Sequence, residues 1–167
     1  MRLLKVFLFR PNMEAHQAEV VSASGLSRMT VTRLLNTFEK SGILKVSKKG
    51  DLKLYSIVEG HPIIKQLKIF INVTDILMQV KGLSGKGVEI YLFGSAARGE
   101  DTEDSDIDLL IISSLKKDII FKALGKLRYN LNREVNPIVY TPMEYSKLPE
   151  TDKAFYEGFE KDKIRII

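Results

Sequence analysis

The stretch from Val88 to Ile112 constrains this chain more than any other. Val88-Glu89-Ile90-Tyr91-Leu92-Phe93 is a strand candidate that runs into Gly94-Ser95-Ala96-Ala97-Arg98-Gly99, then an acidic loop, then Ser105-Asp106-Ile107-Asp108 and the apolar run Leu109-Leu110-Ile111-Ile112. Gly94 lets the backbone approach a ligand closely, and Ser95 with the amides after it can open a helix whose N-terminus favours phosphate. Arg98, near the same turn, can contact phosphate or pair with the carboxylates of the next strand. Side chains at i and i+2 of a strand share a face, so Asp106 and Asp108 point together while Ile107 and Leu109 point the other way. Two carboxylates that close can hold Mg²⁺ or Mn²⁺, hard ions that keep substrate phosphates in their shell. Such a geometry suits nucleotidyl transfer, in which metal ions bind a triphosphate and stabilise the pyrophosphate leaving group.

The words themselves carry a resemblance. GSAARGEDTEDSDIDL resembles the GS-x-x-RG-x-x-x-x-x-SD-x-D motif of the polymerase-β-like nucleotidyltransferase superfamily, and of its minimal members above all, with every fixed position filled. The resemblance implies that Gly94 and Ser95, with Arg98 and Ser105, bind the nucleotide, and that Asp106 and Asp108 coordinate the metals. Family members move a nucleoside monophosphate from a nucleoside triphosphate to a hydroxyl of nucleic acid, an antibiotic or a protein. They usually add a third acid on a neighbouring strand. In Glu134-Val135-Asn136-Pro137-Ile138-Val139-Tyr140, which resembles the family's R-E-V-D-x-V-x-Y, that acid falls at Asn136, so the expected catalytic set is Asp106, Asp108 and Asn136. An amide offers a carbonyl oxygen but no negative charge. Glu134, two residues away on the same strand face, would have to span about 6–7 Å to replace it. Pro137 removes a ladder donor, as expected on an edge strand.

Two other readings of this half fail on spacing. Glu100, Asp101, Glu103 and Asp104 lack the order and the glycine of an EF-hand loop. Gly85-Lys86 is followed by Gly87 where a P-loop needs Ser or Thr, so Lys81 to Gly87 is read as a helix terminator and turn.

Charge divides the chain near Val58. Residues 1–58 hold ten basic and four acidic residues, a net +6, whereas the remainder holds 16 basic and 17 acidic. A basic module beside a near-neutral one suggests a polyanion-binding part and a part with another task. In the basic part Leu3, Leu4, Phe7 and Leu8 recur at helical spacing, and a second helix is expected from Glu14 to Ser22. Ser27 is placed to cap a third helix from Arg28 to Lys40, with Met29, Leu34, Leu35 and Phe38 facing inward. The alternating runs Ile43 to Ser47 and Leu52 to Ile57 then read as a hairpin with a basic tip at Lys48-Lys49-Gly50-Asp51. AEVVSASGLSRMTVTRLLNTFEKSGILKV resembles the winged helix-turn-helix regulators of bacteria and archaea. That resemblance implies double-stranded DNA as a partner, with Ser27, Arg28, Thr30, Thr32, Arg33 and Asn36 meeting the major groove and Lys48 and Lys49 meeting the backbone. It also implies a homodimer that meets two half-sites.

A helix is expected after Pro62, carrying Ile63, Ile64, Leu67, Phe70, Ile71, Ile76, Leu77 and Val80. Another is expected from Lys116 to Asn132. The absence of cysteine excludes disulfide scaffolds, thiol nucleophiles and thiolate metal sites. His16 and His61 are too few for a three-His site. No apolar run approaches the ~18 residues that span a membrane, and the leading apolar stretch lacks a small-residue cleavage site, so a soluble, cytoplasmic protein is expected.

The expected fold class is therefore α+β: a winged helix domain (1–58), a bridging helix and linker (59–87), and a nucleotidyltransferase-like mixed α/β sheet domain (88–167). The leading functional expectation is a DNA-binding transcriptional regulator whose second domain binds a nucleoside triphosphate with Mg²⁺. The alternative is an active nucleotidyltransferase that modifies a partner protein or RNA, with the winged helix used for recruitment.

Overall fold

The computed structural model describes residues 2–131 and 133–167, and the chain divides into two compact units, Met1–Leu67 and Lys68–Ile167. Both are mixtures of helix and sheet, with three strands in the first and four in the second.

The first unit runs α1 (Arg2–Leu8), β1 (Ala15–His16), α2 (Gln17–Ser24), α3 (Arg28–Lys40), β2 (Leu44–Lys49) and β3 (Leu52–Ile57). Its sheet has the order β1-β3-β2, all antiparallel. The helix expected from Glu14 starts later, because Ala15 and His16 pair with Tyr55 and Leu54 as a short strand. His16 then caps α2: its Nδ1 accepts the Ala18 N–H at 3.3 Å while Glu19 Oε2 accepts the His16 N–H at 2.7 Å. Each side chain satisfies a backbone donor that the first helical turn leaves orphaned. Helix α3 has the expected bounds, and Ser27 Oγ accepts the Thr30 N–H at 3.3 Å. Val31 and Leu35, one turn apart, are its fully buried contacts. Met29 is not inward as expected but 83% exposed, since at 100° per residue it lies roughly opposite that face. In the hairpin, Gly50 with φ +61° supplies the turn, and Lys48 stands directly opposite Lys53.

Helix α4 (Pro62–Val80) ends in a 3-10 turn, Lys81–Leu83. Then come β4 (Val88–Phe93), α5 (Gly94–Arg98), β5 (Ile107–Ser113), α6 (Lys117–Leu131), β6 (Val135–Tyr140), α7 (Pro142–Thr151), α8 (Lys153–Asp162) and β7 (Ile164–Arg165). The expected end of α6 at Asn132 lies outside the described residues. The sheet order is β6-β5-β4-β7, with β5 and β6 parallel and the other pairs antiparallel. Strand β6, with Pro137, is at an edge as expected.

Strand β5 is buried on both faces, which explains its unbroken apolar run. Ile107, Leu109 and Ile111 join Ile76, Val80, Ile90, Leu92, Ile120, Leu124 and Leu127 in one core. Leu110 and Ile112 face the other way, toward Phe159 and the rings of Tyr91, Phe93, Tyr140, Tyr145 and Phe155. Each fully buried aliphatic side chain contributes about 1.5–3 kcal/mol. The strand is thus held from both sides, and Asp108 projects from a rigid support.

Candidate active site

Strand β4 delivers the chain into Gly94, whose φ is +72°. A residue with a β-carbon resists that conformation, and here it would also have no room: a β-carbon on Gly94 would lie 3.4 Å from Asp108 Cγ and overlap Oδ2. The register explains the proximity, because Phe93 pairs with Asp108 across β4 and β5. On the other side Asp108 pairs with Asn136 across the parallel ladder. Asn136 Nδ2 donates to Asp106 Oδ2 at 2.9 Å. Asp106, Asp108 and Asn136 therefore come together as expected, with Gly94 beside them.

Asp106 precedes the first residue of β5 and is exposed, whereas Asp108 is half-buried within the strand. Burial raises the Asp108 carboxyl above its ordinary value and the neighbouring Asp106 charge adds to this, while hydrogen bonding from the Asn136 amide and the Arg133 and Arg98 charges pull it down. Two acids held this close repel each other, and a cation between them would relieve the repulsion. Among the described residues no group of three or more His, Cys, Asp or Glu is arranged to hold a metal ion. Glu134 precedes β6 and is exposed; it offers its carbonyl to the Ile107 N–H at 2.9 Å.

The remaining expected residues are engaged differently. Arg98 pairs with Glu100 and with Asp162 of α8, each at 2.9 Å, rather than with Asp106 or Asp108. Ser105 Oγ accepts the Thr102 N–H at 2.9 Å and so closes the acidic loop on itself. Ser95 offers its carbonyl to the Glu100 N–H at 2.9 Å, which fastens the start of that loop to α5. A group that the motif does not reveal lies just behind. Asp101, fully buried, pairs with Arg133 at 2.8 Å and accepts from Asn72 Nδ2 at 2.9 Å.

The family model of the nucleotidyltransferase domain matches residues 73–166, more than half of the chain. The chain belongs to that family. A curated Methanocaldococcus jannaschii relative named "Putative protein adenylyltransferase" is 38% identical over 63 residues, which cover 38% of this chain and 63% of the relative. The chain thus matches less than two thirds of that relative's length. Among solved structures, a toxin-antitoxin complex with AMP-PNP matches at 20% identity and a TM-score of 0.42, over 57% of this chain and 73% of that one. The tri-AMPylated Shewanella oneidensis HEPN toxin in complex with MNT antitoxin matches at 18% identity and a TM-score of 0.39, over 59% and 71%. Likenesses this distant carry no argument about the site. Among the described residues no helix is long and apolar enough to cross a membrane.

Proposed function

We propose that this protein transfers AMP from ATP to a hydroxyl of a partner protein, and that Asp106, Asp108 and Asn136 are its catalytic residues. The observation that carries the reading is the convergence of Asp108 in β5, Asp106 just ahead of that strand and Asn136 of β6, with a glycine set against Asp108 that leaves no β-carbon in front of it. The donor set fits a hard divalent ion that arrives with a triphosphate, since two carboxylate groups converge and burial has already made Asp108 costly to keep ionised alone. Asp106 and Asp108 would hold Mg²⁺ or Mn²⁺, which neutralises phosphate charge and favours departure of pyrophosphate. Gly94 and Ser95 would bring backbone close to the phosphates. A bond forms between the acceptor oxygen and the α-phosphorus, the bond to the β-phosphate oxygen breaks, and pyrophosphate leaves with its electron pair. The acceptor proton has the exposed Asp106 carboxylate as its base on this chain. Asn136 orients Asp106 through its amide and adds no charge. The protein-modifying choice rests on the curated relative's name and the RNA-modifying one has no such support.

The test uses ATP labelled at the α-phosphate, Mg²⁺ or Mn²⁺, and a pool of candidate protein acceptors. Label on protein with matching pyrophosphate release, both lost in Asp106→Ala, is the expected result. Their absence from the unmodified protein would overturn the proposal.

A second reading concerns residues 1–58, which we propose form a winged helix-turn-helix. Arg28, Met29, Thr32, Arg33 and Asn36 are exposed on one helix, and Lys48 faces Lys53 across the hairpin, where like charges repel unless a polyanion covers them. Met29 would suit a thymine methyl group and Arg28 or Arg33 a guanine edge. Ser27 and Thr30 are hydrogen-bonded to one another at 2.9 Å, which leaves them to the helix cap and to phosphate contacts. On this reading the first unit recruits the enzyme to DNA rather than defining a regulator. Titration with duplex DNA at several salt concentrations should give an affinity that falls steeply with salt; a flat response refutes it.

A further inference from the structure

Asp106 has a weakness as a ligand: it lies one residue outside the ladder of β5, and across to β6 only the Ile107 N–H that follows it is tied, to the Glu134 carbonyl. One largely buried side chain completes the hold. Arg133 donates from Nε to the Ser105 carbonyl at 2.7 Å and from Nη2 to the Asp106 carbonyl at 3.3 Å. Its Nη1 reaches Asp101 Oδ2 at 2.8 Å and Asn72 Oδ1 at 3.4 Å. The guanidinium therefore grips both ends of the loop from Asp101 to Asp106, and its own chain leads three residues later to Asn136.

The far side of the grip is anchored in α4. Asn72 Nδ2 donates to Asp101 Oδ2 at 2.9 Å and to the Ala96 carbonyl of α5 at 3.2 Å, and Lys68 Nζ donates to the Asp101 carbonyl at 2.6 Å. Asp101 is 0% exposed, and its Oδ1 has no hydrogen-bond partner among the described residues. A buried carboxylate in that condition is tolerated only with strong compensation. Its position inside a run of acids suggests a metal ligand, but its geometry excludes that: its charge is spent on Arg133. Fixed forks of donors suit arginine alone, because lysine offers a point charge without the second and third arms.

We propose that Arg133, braced by Asp101 and Asn72, is a positioning residue that sets the backbone of Ser105 and Asp106 and so aims the Asp106 carboxylate at the metal-nucleotide. The inference rests on the proposed nucleotidyl transfer, and its test separates the two. Arg133→Lys keeps a positive charge beside Asp101 and removes the arms to Ser105 and Asp106. A displacement of about 1 Å in a reacting group can cost about 100-fold in rate. Arg133→Lys should lower kcat by about that factor with a smaller change in KM for ATP, weaken Mn²⁺ binding in the presence of a non-hydrolysable ATP analogue about tenfold by calorimetry, and speed hydrogen exchange at the amides of Ser105 to Asp108. Asn72→Ala, which removes one arm of the α4 brace and leaves Lys68 on the Asp101 carbonyl, should shift all three readouts in the same direction by a smaller factor, and it serves if Arg133→Lys does not fold. A variant that folds with unchanged exchange at those amides and unchanged Mn²⁺ affinity overturns the proposal, even if its melting temperature falls. Absence of both AMP transfer and Mn²⁺ binding in the unmodified protein overturns the proposed function; the exchange measurement still decides whether Arg133 holds the loop.

Discussion

Replacing Asn136 with aspartate tests the reading of the third position directly. In the metal-free protein Asn136→Asp removes the 2.9 Å hydrogen bond to Asp106 and places a like charge there instead. A hydrogen bond to a charged group contributes about 1.5–3 kcal/mol, with the lower end appropriate for exposed partners. Repulsion between charges 4 Å apart adds about 1 kcal/mol in water and more where protein displaces it. Together they give a loss of about 2.5 kcal/mol, or a fall of roughly 5–10 °C in melting temperature for a chain of this size. With Mn²⁺ and an ATP analogue the deficit should shrink by about half, because a third carboxylate strengthens binding. Tenfold tighter binding returns about 1.4 kcal/mol at saturating ligand. Differential scanning fluorimetry with and without Mn²⁺ and nucleotide reads both effects, and pyrophosphate release should rise in the same variant. If Asn136→Asp leaves the metal-free melting temperature and the metal affinity unchanged, Asn136 does not occupy the ligand position and the reading fails.

Three further outcomes follow from the same geometry. The Asp108 carboxyl is raised in the folded state, so the folded protein holds that proton more tightly than the unfolded chain, and stability falls as pH rises from the ordinary carboxylate value through the raised one. Asp108→Asn should therefore raise the melting temperature of the metal-free protein at pH 7, lose that advantage toward pH 4, and abolish transfer; an equal effect at both pH values contradicts the assigned cause. Gly94→Ala meets both the positive φ and the Asp108 carboxylate, and should cost at least about 1–2 kcal/mol with loss of nucleotide binding, as read by melting and calorimetry. Phe159→Ala removes a ring that is 2% exposed and lies at the centre of the aromatic face, and should cost about 3–5 kcal/mol in urea unfolding; a loss below 1 kcal/mol would mean that face is not a packed core.

Much of the second unit was legible because its signals are local. The Asp-x-Asp pair, the Gly-Ser turn and the apolar run of β5 lie within twenty-five residues, and strand alternation alone puts both aspartates on one face. Asn136 was also legible, by its place in a short strand phrase. The partners of charged residues were not. Arg98 has acids on several sides, and its choice of Asp162 depends on where α8 folds back, 64 positions along the chain. Asp101 is indistinguishable in sequence from Glu100, Glu103 and Asp104, and only burial against Asn72 and Arg133 singles it out. Met29 shows the same limit in a helix, since hydrophobicity names a residue but the face is set by what α3 packs against. The apolar residues of α4 divide likewise: Ile64, Ile71, Ile76 and Val80 are buried, but Ile63, Phe70 and Leu77 are exposed.

The pairing of Asn136 with Pro137 on the edge strand has a chemical consequence for the life of the site. Asparagine ages to aspartate when the next backbone nitrogen gives up its hydrogen and attacks the side-chain amide to close a succinimide ring. Proline has no hydrogen on that nitrogen. The common route by which time alone would install a third carboxylate is therefore closed, and an old preparation should keep the same neutral residue beside Asp106 as a fresh one.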